Sequence, residues 1–403
     1  MADTTLPARY RQLRRATVEL AAPLSPEDCQ AQSMREASPV KWHLAHTTWF
    51  FETFVLKRTG PAERLLFNSY YESLGERIPR DHRGLMTRPS LQEVLRYRAR
   101  VDDEVSALLE RNDEASLLVE LGLQHEQQHQ ELLLTDVKHL FFANPLRPGY
   151  AARPDDAEPP TPAAARMISF AGGLTSIGHG NDAEFAFDNE RPPHRRFVEP
   201  FELGSRPVTC GEFLRFIEDH GYRRPEVWLS DGWDAVQREA WEAPLYWVRD
   251  PEGWTMFTLS GMRPLDPEEP VCHVSYYEAD AFARWAGARL PDEEEWEVAA
   301  RERPVEGNLA ETRRFHPRRA ASGDGPAQLF GDVWEWTRSA YGPYPGYRPP
   351  AGALGEYNAK FMCNQIVLRG GSCATPASHL RATYRNFFPP HSRWQFSGIR
   401  LAR

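Results

Sequence analysis

The run Gln124-His125-Glu126-Gln127-Gln128-His129 holds two histidines four residues apart. On a helix such residues project from one face, one turn apart, so both imidazoles can grip a single metal ion. The segment from Glu114 to Phe142 reads as a helix. Leu118, Leu121, Leu132, Leu133, Asp136 and Leu140 continue the stripe on which the two histidines lie. The pair therefore interrupts a buried face and points into a helical bundle. A lone histidine there would read as a satisfied core residue; two at this spacing read as metal ligands. The same letters spell H-E-x-x-H, the zinc-protease signature, which needs a third ligand and a glutamate acting as general base. Its extended form wants glycine at Leu132 and histidine at Thr135, and the stretch Pro145–Tyr150 offers no glutamate ligand. The protease reading fails on that context.

A third ligand has to come from another helix. Lys41-Trp42-His43-Leu44-Ala45-His46 supplies two candidates three residues apart, and periodicity does not choose between His43 and His46. His139 stands ten residues beyond His129, roughly 15 Å along a helix and too far to share the ion; it reads as structural or surface. Three neutral imidazoles suit zinc, copper, iron or nickel, and on one face of an octahedron they leave three positions open. Asn68-Ser69-Tyr70-Tyr71-Glu72 lies in the connection that follows. A tyrosine hydroxyl beside such a metal can donate a proton, although an adjacent tyrosine pair can also simply pack. Arg77, Arg80 and Arg83 come next, a loop able either to grip a carboxylate through paired N–H donors or to sit in solvent.

The elements that must position these residues are helical up to about residue 142. Helices are expected near 6–21, 39–58, 90–111 and 115–142, with Ser38 as N-cap and Pro39 in the first turn of the second. Four helices with a long connection between the second and third suggest a four-helix bundle. Residues 145–164 carry six prolines, which neither continue a helix nor join a sheet. The chain therefore divides into a bundle at 1–148, a linker at 149–164 and a second domain at 165–403. The second half has short segments punctuated by Gly, Pro, Trp and Tyr, with helices expected only near 209–220 and 275–287. It reads as an irregular α+β domain. Gly370-Gly371-Ser372 marks a tight turn.

At 403 residues two domains are the natural expectation. A net charge of −9 argues against a nucleic-acid partner. Five cysteines without C-x-x-C pairing suit a reducing cytoplasm. No apolar run approaches the length that spans a membrane. Nothing in the sequence specifies an oligomeric state.

The blocks Ser38–Leu56, Phe67–Gly75, Gly122–Leu140, Pro207–Trp233, Gly331–Tyr341, Leu368–Pro376 and Ala382–Arg400 strongly resemble the sulfoxide synthases of ergothioneine biosynthesis. The resemblance implies a DinB-like four-helix bundle followed by a formylglycine-generating-enzyme-like, C-type-lectin-related α+β domain. It implies a cytoplasmic non-haem iron(II) oxygenase that uses O2 to join sulfur to C2 of the hercynine imidazole as a sulfoxide. Carried over by position, the metal ligands are His46, His125 and His129, which takes His46 over His43. Gln128 matches the glutamine that hydrogen-bonds the substrate imidazole, and Asn386 a residue at the hercynine end. Phe387 and Trp394 are candidates for the aromatic faces around its trimethylammonium. Tyr70 and Tyr71 match the catalytic tyrosine pair of the branch that uses free cysteine. The γ-glutamylcysteine branch has an acidic residue where Phe388 stands, so cysteine is the expected donor. Arg80 and Arg83 have the spacing of the arginine pair that holds the donor in that other branch. Cys373 has no partner cysteine near the RGGS turn, so the copper–cysteine chemistry of the formylglycine-generating enzyme is not expected. Rival readings are an ovothiol-type or selenoneine synthase, a zinc-dependent thiol transferase of the bundle family, and a non-catalytic binding module.

Overall fold

Tyr10, Arg14, Thr17, Leu20 and Ala21 are the buried residues of the first helix, α1 (Leu6–Ala21), and their three- and four-residue spacing is that of one helix face. The computed structural model describes residues 5–58, 60–111, 116–152 and 164–403. These fall into two units. The first is Met1–Ala151 together with Ala351–Tyr357, and the second is Ala152–Pro350 with Asn358–Arg403. The sequence reading places 351–357 in the second domain; the chain carries it to the first. Most of the expected linker, residues 153–163, lies outside the described residues.

In the first unit α1 is followed by α2 (Pro26–Gln30), α3 (Val40–Phe50), α4 (Pro61–Phe67), α5 (Leu91–Leu109) and α6 (Ser116–Ala143). The four long expected helices are α1, α3, α5 and α6, packed against one another as a bundle. All of α3 is buried, so it runs through the centre and any polar side chain on it must find a partner there. It does not continue as an α-helix to residue 58. From Phe51 to Val55 the chain forms a π turn, and Phe51 packs in a core with Tyr10, Val101, Val105, Val119 and Leu123. Gly122 makes room for it: a Cβ there would lie 2.5 Å from Phe51 Cε1. That close approach brings α6 against the end of α3, one turn before His125. Ser38 does not cap α3. The N-cap is Pro39, while the Ser38 N–H donates to Asp136 Oδ2 at 2.8 Å and its hydroxyl accepts from Arg83 at 2.8 Å.

The second unit holds β1 (Met167–Phe170), β2 (Gly173–Ile177), β3 (His194–Val198), β4 (Phe201–Gly204), α7 (Cys210–Glu218) and α8 (Ser230–Glu239). These are followed by β5 (Trp247–Asp250), β6 (Gly253–Thr258), β7 (Gly261–Pro264), α9 (Tyr276–Trp285) and α10 (Glu293–Ala300). The last elements are β8 (Trp334–Ala340), β9 (Ile366–Arg369), β10 (Asn386–Phe388) and β11 (Ser397–Gly398). β1 pairs with β4, β2 with β3, and β5–β7 form a meander; the fourth sheet has the order β10-β9-β8-β11 with β11 parallel to β8. α7 and α9 fall where the sequence places helices, each opened by a capping box. α8 and α10 were not anticipated. At the RGGS turn, Gly370 and Gly371 have φ of 100° and 81°, a region glycine enters without strain. Among the described residues no helix is long and apolar enough to cross a membrane.

Candidate metal centre

His46 on α3 and His125 and His129 on α6 converge as i, i+4 geometry and the α3–α6 packing require. His46 Nε2 lies 3.2 Å from His125 Nε2, which lies 3.1 Å from His129 Nε2. A metal ~2.1 Å from each nitrogen needs N–N spacings of roughly 3.0–3.4 Å, the range from octahedral to tetrahedral angles. All three residues are buried, and their ligand atoms lie within 4.8 Å of one another. Burial pushes the His46 and His129 rings well below the ordinary histidine range, with the neighbouring His125 adding to both. Burial also lowers His125, to about 3. Neutral rings with converging lone pairs repel unless a cation sits among them, so the donor set fits a metal ion.

Their outer supports differ. His46 Nδ1–H donates to the Phe67 carbonyl at 2.6 Å, which leaves Nε2 as the lone pair. Trp42 stacks on the His46 ring at 4.5 Å and 9°. Trp42 itself is anchored through Nε1–H to the Leu66 carbonyl and lies 3.3 Å, centroid to Cζ, from the Arg83 guanidinium. His129 Nδ1 meets His43 Nδ1 at 2.8 Å, and His43 Nε2 meets Asp136 Oδ2 at 3.0 Å. His43 is thus a neighbour of the centre rather than a member of it. His139 is held by Ser33 at 2.7 Å, a structural contact. Glu126, the would-be protease base, belongs to another cluster. Its carboxylate accepts from Arg14 at 2.7 Å, from Thr17 at 2.5 Å and from Arg98. Burial alone would raise its pKa, but the two guanidiniums hold it down at about 2.

Two domain families match the chain: the DinB superfamily over residues 9–141, and the sulfatase-modifying factor enzyme 1-like domain over 153–320 and 313–403. A hercynine oxygenase of Mycobacterium tuberculosis is 34% identical over 396 residues, 91% of each chain. That of Mycolicibacterium thermoresistibile is 33% identical over 400 residues, 91% of this chain and 87% of the relative. That of Mycolicibacterium smegmatis is 32% identical over 441 residues, 100% of this chain and 98% of the relative. This chain belongs to the hercynine oxygenase family.

As a member of that family it is an oxygenase, with the DinB bundle and sulfatase-modifying-factor domain the resemblance implied. The remaining residues expected at a hercynine oxygenase site are held in different ways. Gln128, half-buried, stands three residues after His125 on the same face of α6, and its Oε1 accepts a hydrogen bond from Tyr357. The Tyr357 ring lies 5.7 Å from the His125 ring and 6.2 Å from Tyr70. Tyr70 is half-buried and packs on Tyr71 at 4.7 Å. Tyr71 is fully buried beside Phe54 and Trp49. Its backbone is pinned by Asn68, whose side chain both accepts the Tyr71 N–H and donates to the Tyr71 carbonyl. Burial raises the Tyr71 phenol well above 10, with Tyr70 and Tyr357 contributing, so it stays protonated.

Arg80 is exposed. Arg83 is buried against Trp42, with Ser38 and Ser69 as hydrogen-bond partners. The two arginines therefore do not share one environment, and Arg83 is committed to packing beside His46. Asn386, Phe387 and Phe388 form β10 of the second unit, where Phe387 stacks on Tyr341 at 4.0 Å and Phe388 meets Trp394 at 6.0 Å.

Two contributors were missed by sequence reasoning. The His43–Asp136 pair had a signal, since Asp136 stands seven residues after His129 on the same stripe. Tyr357 had none: it comes from 229 residues beyond Gln128, and no local periodicity reports such a return.

Proposed function

We propose that this chain joins cysteine sulfur to C2 of the hercynine imidazole, consuming O2 and giving hercynyl-cysteine sulfoxide in ergothioneine biosynthesis. His46, His125 and His129 hold the ion, proposed to be iron(II). The C2–H and S–H bonds are lost, a C–S bond forms, one oxygen atom stays on sulfur and the other leaves as water. Iron would supply, when bound, a site at which a thiolate and O2 could meet. The convergence of three neutral, buried imidazole nitrogens is the observation that carries this reading, and the hercynine oxygenase relatives supply the acceptor.

The chain's own residues do the rest. Gln128, beside His125, offers an amide to the substrate imidazole. Tyr70 and Tyr71 are the proposed proton donors, and burial keeps Tyr71 protonated. Asn386 and Phe387 are proposed to receive the hercynine end. Phe388, where the other branch is acidic, favours free cysteine over γ-glutamylcysteine. Arg80, which is exposed, is proposed to meet the donor by charge, whereas Arg83 is held in the packing beside His46. Assembly of both organic substrates before oxygen activation suppresses wasteful thiol oxidation. A reducing cytoplasm suits the five cysteines, none of them in a disulfide among the described residues.

The test is anaerobic reconstitution with iron(II), then hercynine and air with either cysteine or γ-glutamylcysteine, the products read by mass spectrometry. Sulfoxide formed preferentially from cysteine supports the proposal. A preference for γ-glutamylcysteine overturns the donor, and product from histidine but not hercynine overturns the acceptor.

A further inference from the structure

The three ligating imidazoles need their Nε2 lone pairs directed inward, and each has a different group behind it. His46 is set by a backbone carbonyl. His125 Nδ1 is buried with no hydrogen-bond partner among the described residues. His129 alone is backed by two ionisable side chains in series. Asp136, 6% exposed, presents Oδ2 to the Ser38 N–H at 2.8 Å and to His43 Nε2 at 3.0 Å. Its Oδ1 has no hydrogen-bond partner among the described residues, so His43 is the one ring this carboxylate serves.

A carboxylate only accepts, so His43 Nε2 carries the proton. With its proton on Nε2 towards Asp136, the His43 ring presents Nδ1 to His129 as the acceptor. His129 Nδ1, 2.8 Å away, has to bring the proton to that contact. The lone pair of His129 is left on Nε2, the atom 3.1 Å from His125 Nε2 in the centre. We infer that Asp136 and His43 form a relay of positioning residues that fixes the tautomer and ring orientation of His129, so that its Nε2 is ready to ligate. This inference rests on the metal-site reading for its purpose, but not for its geometry. It also gives His43 and His46, which periodicity left undistinguished, separate tasks: one ligates and the other orients a ligand. Outer partners of this kind typically change metal affinity by 10- to 100-fold when removed.

Nitrogen-15 NMR of the metal-free protein tests the relay without any variant. The His129 ring is expected to be protonated at Nδ1 and bare at Nε2; a His129 ring protonated at Nε2 would overturn the proposal. Two substitutions then separate positioning from packing, with iron(II) titrated under anaerobic conditions. His43→Gln keeps an amide oxygen for His129 Nδ1–H and an amide N–H for Asp136, so its affinity should stay within a few-fold of the unaltered protein. His43→Leu fills the space but accepts no proton, and should bind roughly 10- to 100-fold more weakly while losing the fixed tautomer. Equal affinity in the two variants would contradict the relay. If the unaltered protein shows the expected tautomer but takes up no iron, the relay stands and the metal assignment falls.

Discussion

His125 and Glu126 are neighbours on α6, yet they enter two polar clusters of opposite character. Glu126 turns towards α1 and α5, where Arg14, Arg98 and Thr17 satisfy it and Asp102 takes the remaining charge of Arg14. Every charge there has its counter-charge inside the protein. His125 turns towards α3 and meets two more acceptor nitrogens, those of His46 and His129. Arg14, Arg98 and Glu126 are as buried as the three histidines, with only the Asp102 side chain, 27% exposed, reaching outward, so burial does not separate structure from function. Satisfaction does: the closed charge cluster holds the bundle together, whereas the histidine cluster is complete only when something else joins it. The H-E-x-x-H letters hide this split, because a protease would need both residues in one site.

If the contrast is right, the two residues should fail differently. The largest effect is expected for His125→Ala, which should abolish stoichiometric iron binding, measured by metal analysis after desalting, and leave a folded protein by circular dichroism. Glu126→Gln should do the reverse. It strands Arg98 and half-strands Arg14 in the interior, at a cost of about 3–5 kcal/mol in urea denaturation, while the ligand set remains. A metal-binding loss without a stability loss in that variant would break the comparison.

Gly122→Ala should fall between these. The new methyl group meets the Phe51 ring; overpacking costs about 1–3 kcal/mol, against a helix-propensity gain of about 1 kcal/mol. Because the same contact sets the α3–α6 approach, iron affinity should fall with it. A stabilised variant with unchanged affinity would show that the approach is not set there.

The charge cluster also makes a pH prediction. The folded carboxyl of Glu126 titrates at about 2, below the unfolded value of about 4.3. The unfolded state therefore binds the proton first on acidification. The stability this group contributes is fully present above the unfolded pKa and is lost as pH falls through the window down to about 2. Glu126→Gln should flatten the acid limb of the stability profile in that window. The smallest and most local effect is expected at the tyrosines: Tyr71→Phe should shift products from sulfoxide towards cysteine sulfinate, with little change in iron binding. An unchanged product ratio would remove Tyr71 as the proton donor and leave Tyr70.

The parts legible in the sequence were those written in local periodicity. The four long helices and the three-histidine cluster follow from spacing on α3 and α6 together with a resemblance that chose His46. The helices expected near 209–220 and 275–287 were legible too, and fall on α7 and α9. α10 opens on a capping box of Asp292 and Glu295, a signal only four letters long. α8 ends on Ala240 in a left-handed conformation, where a glycine would have announced the stop. The π turn at Phe51–Val55 depends on a contact with Gly122, and Tyr357 reaches Gln128 from far along the chain. Both are tertiary facts with no local trace. His43 was visible as a candidate, but its task depends on which atoms face Asp136 and His129.

Oxygen uptake by the iron(II)-loaded protein, recorded with hercynine, with cysteine and with both, tests the central claim most directly. The account predicts rapid uptake only with both present, one O2 per sulfoxide formed, and none in His125→Ala. Uptake that is the same with cysteine alone, or absent with both substrates on a fully loaded protein, would contradict it.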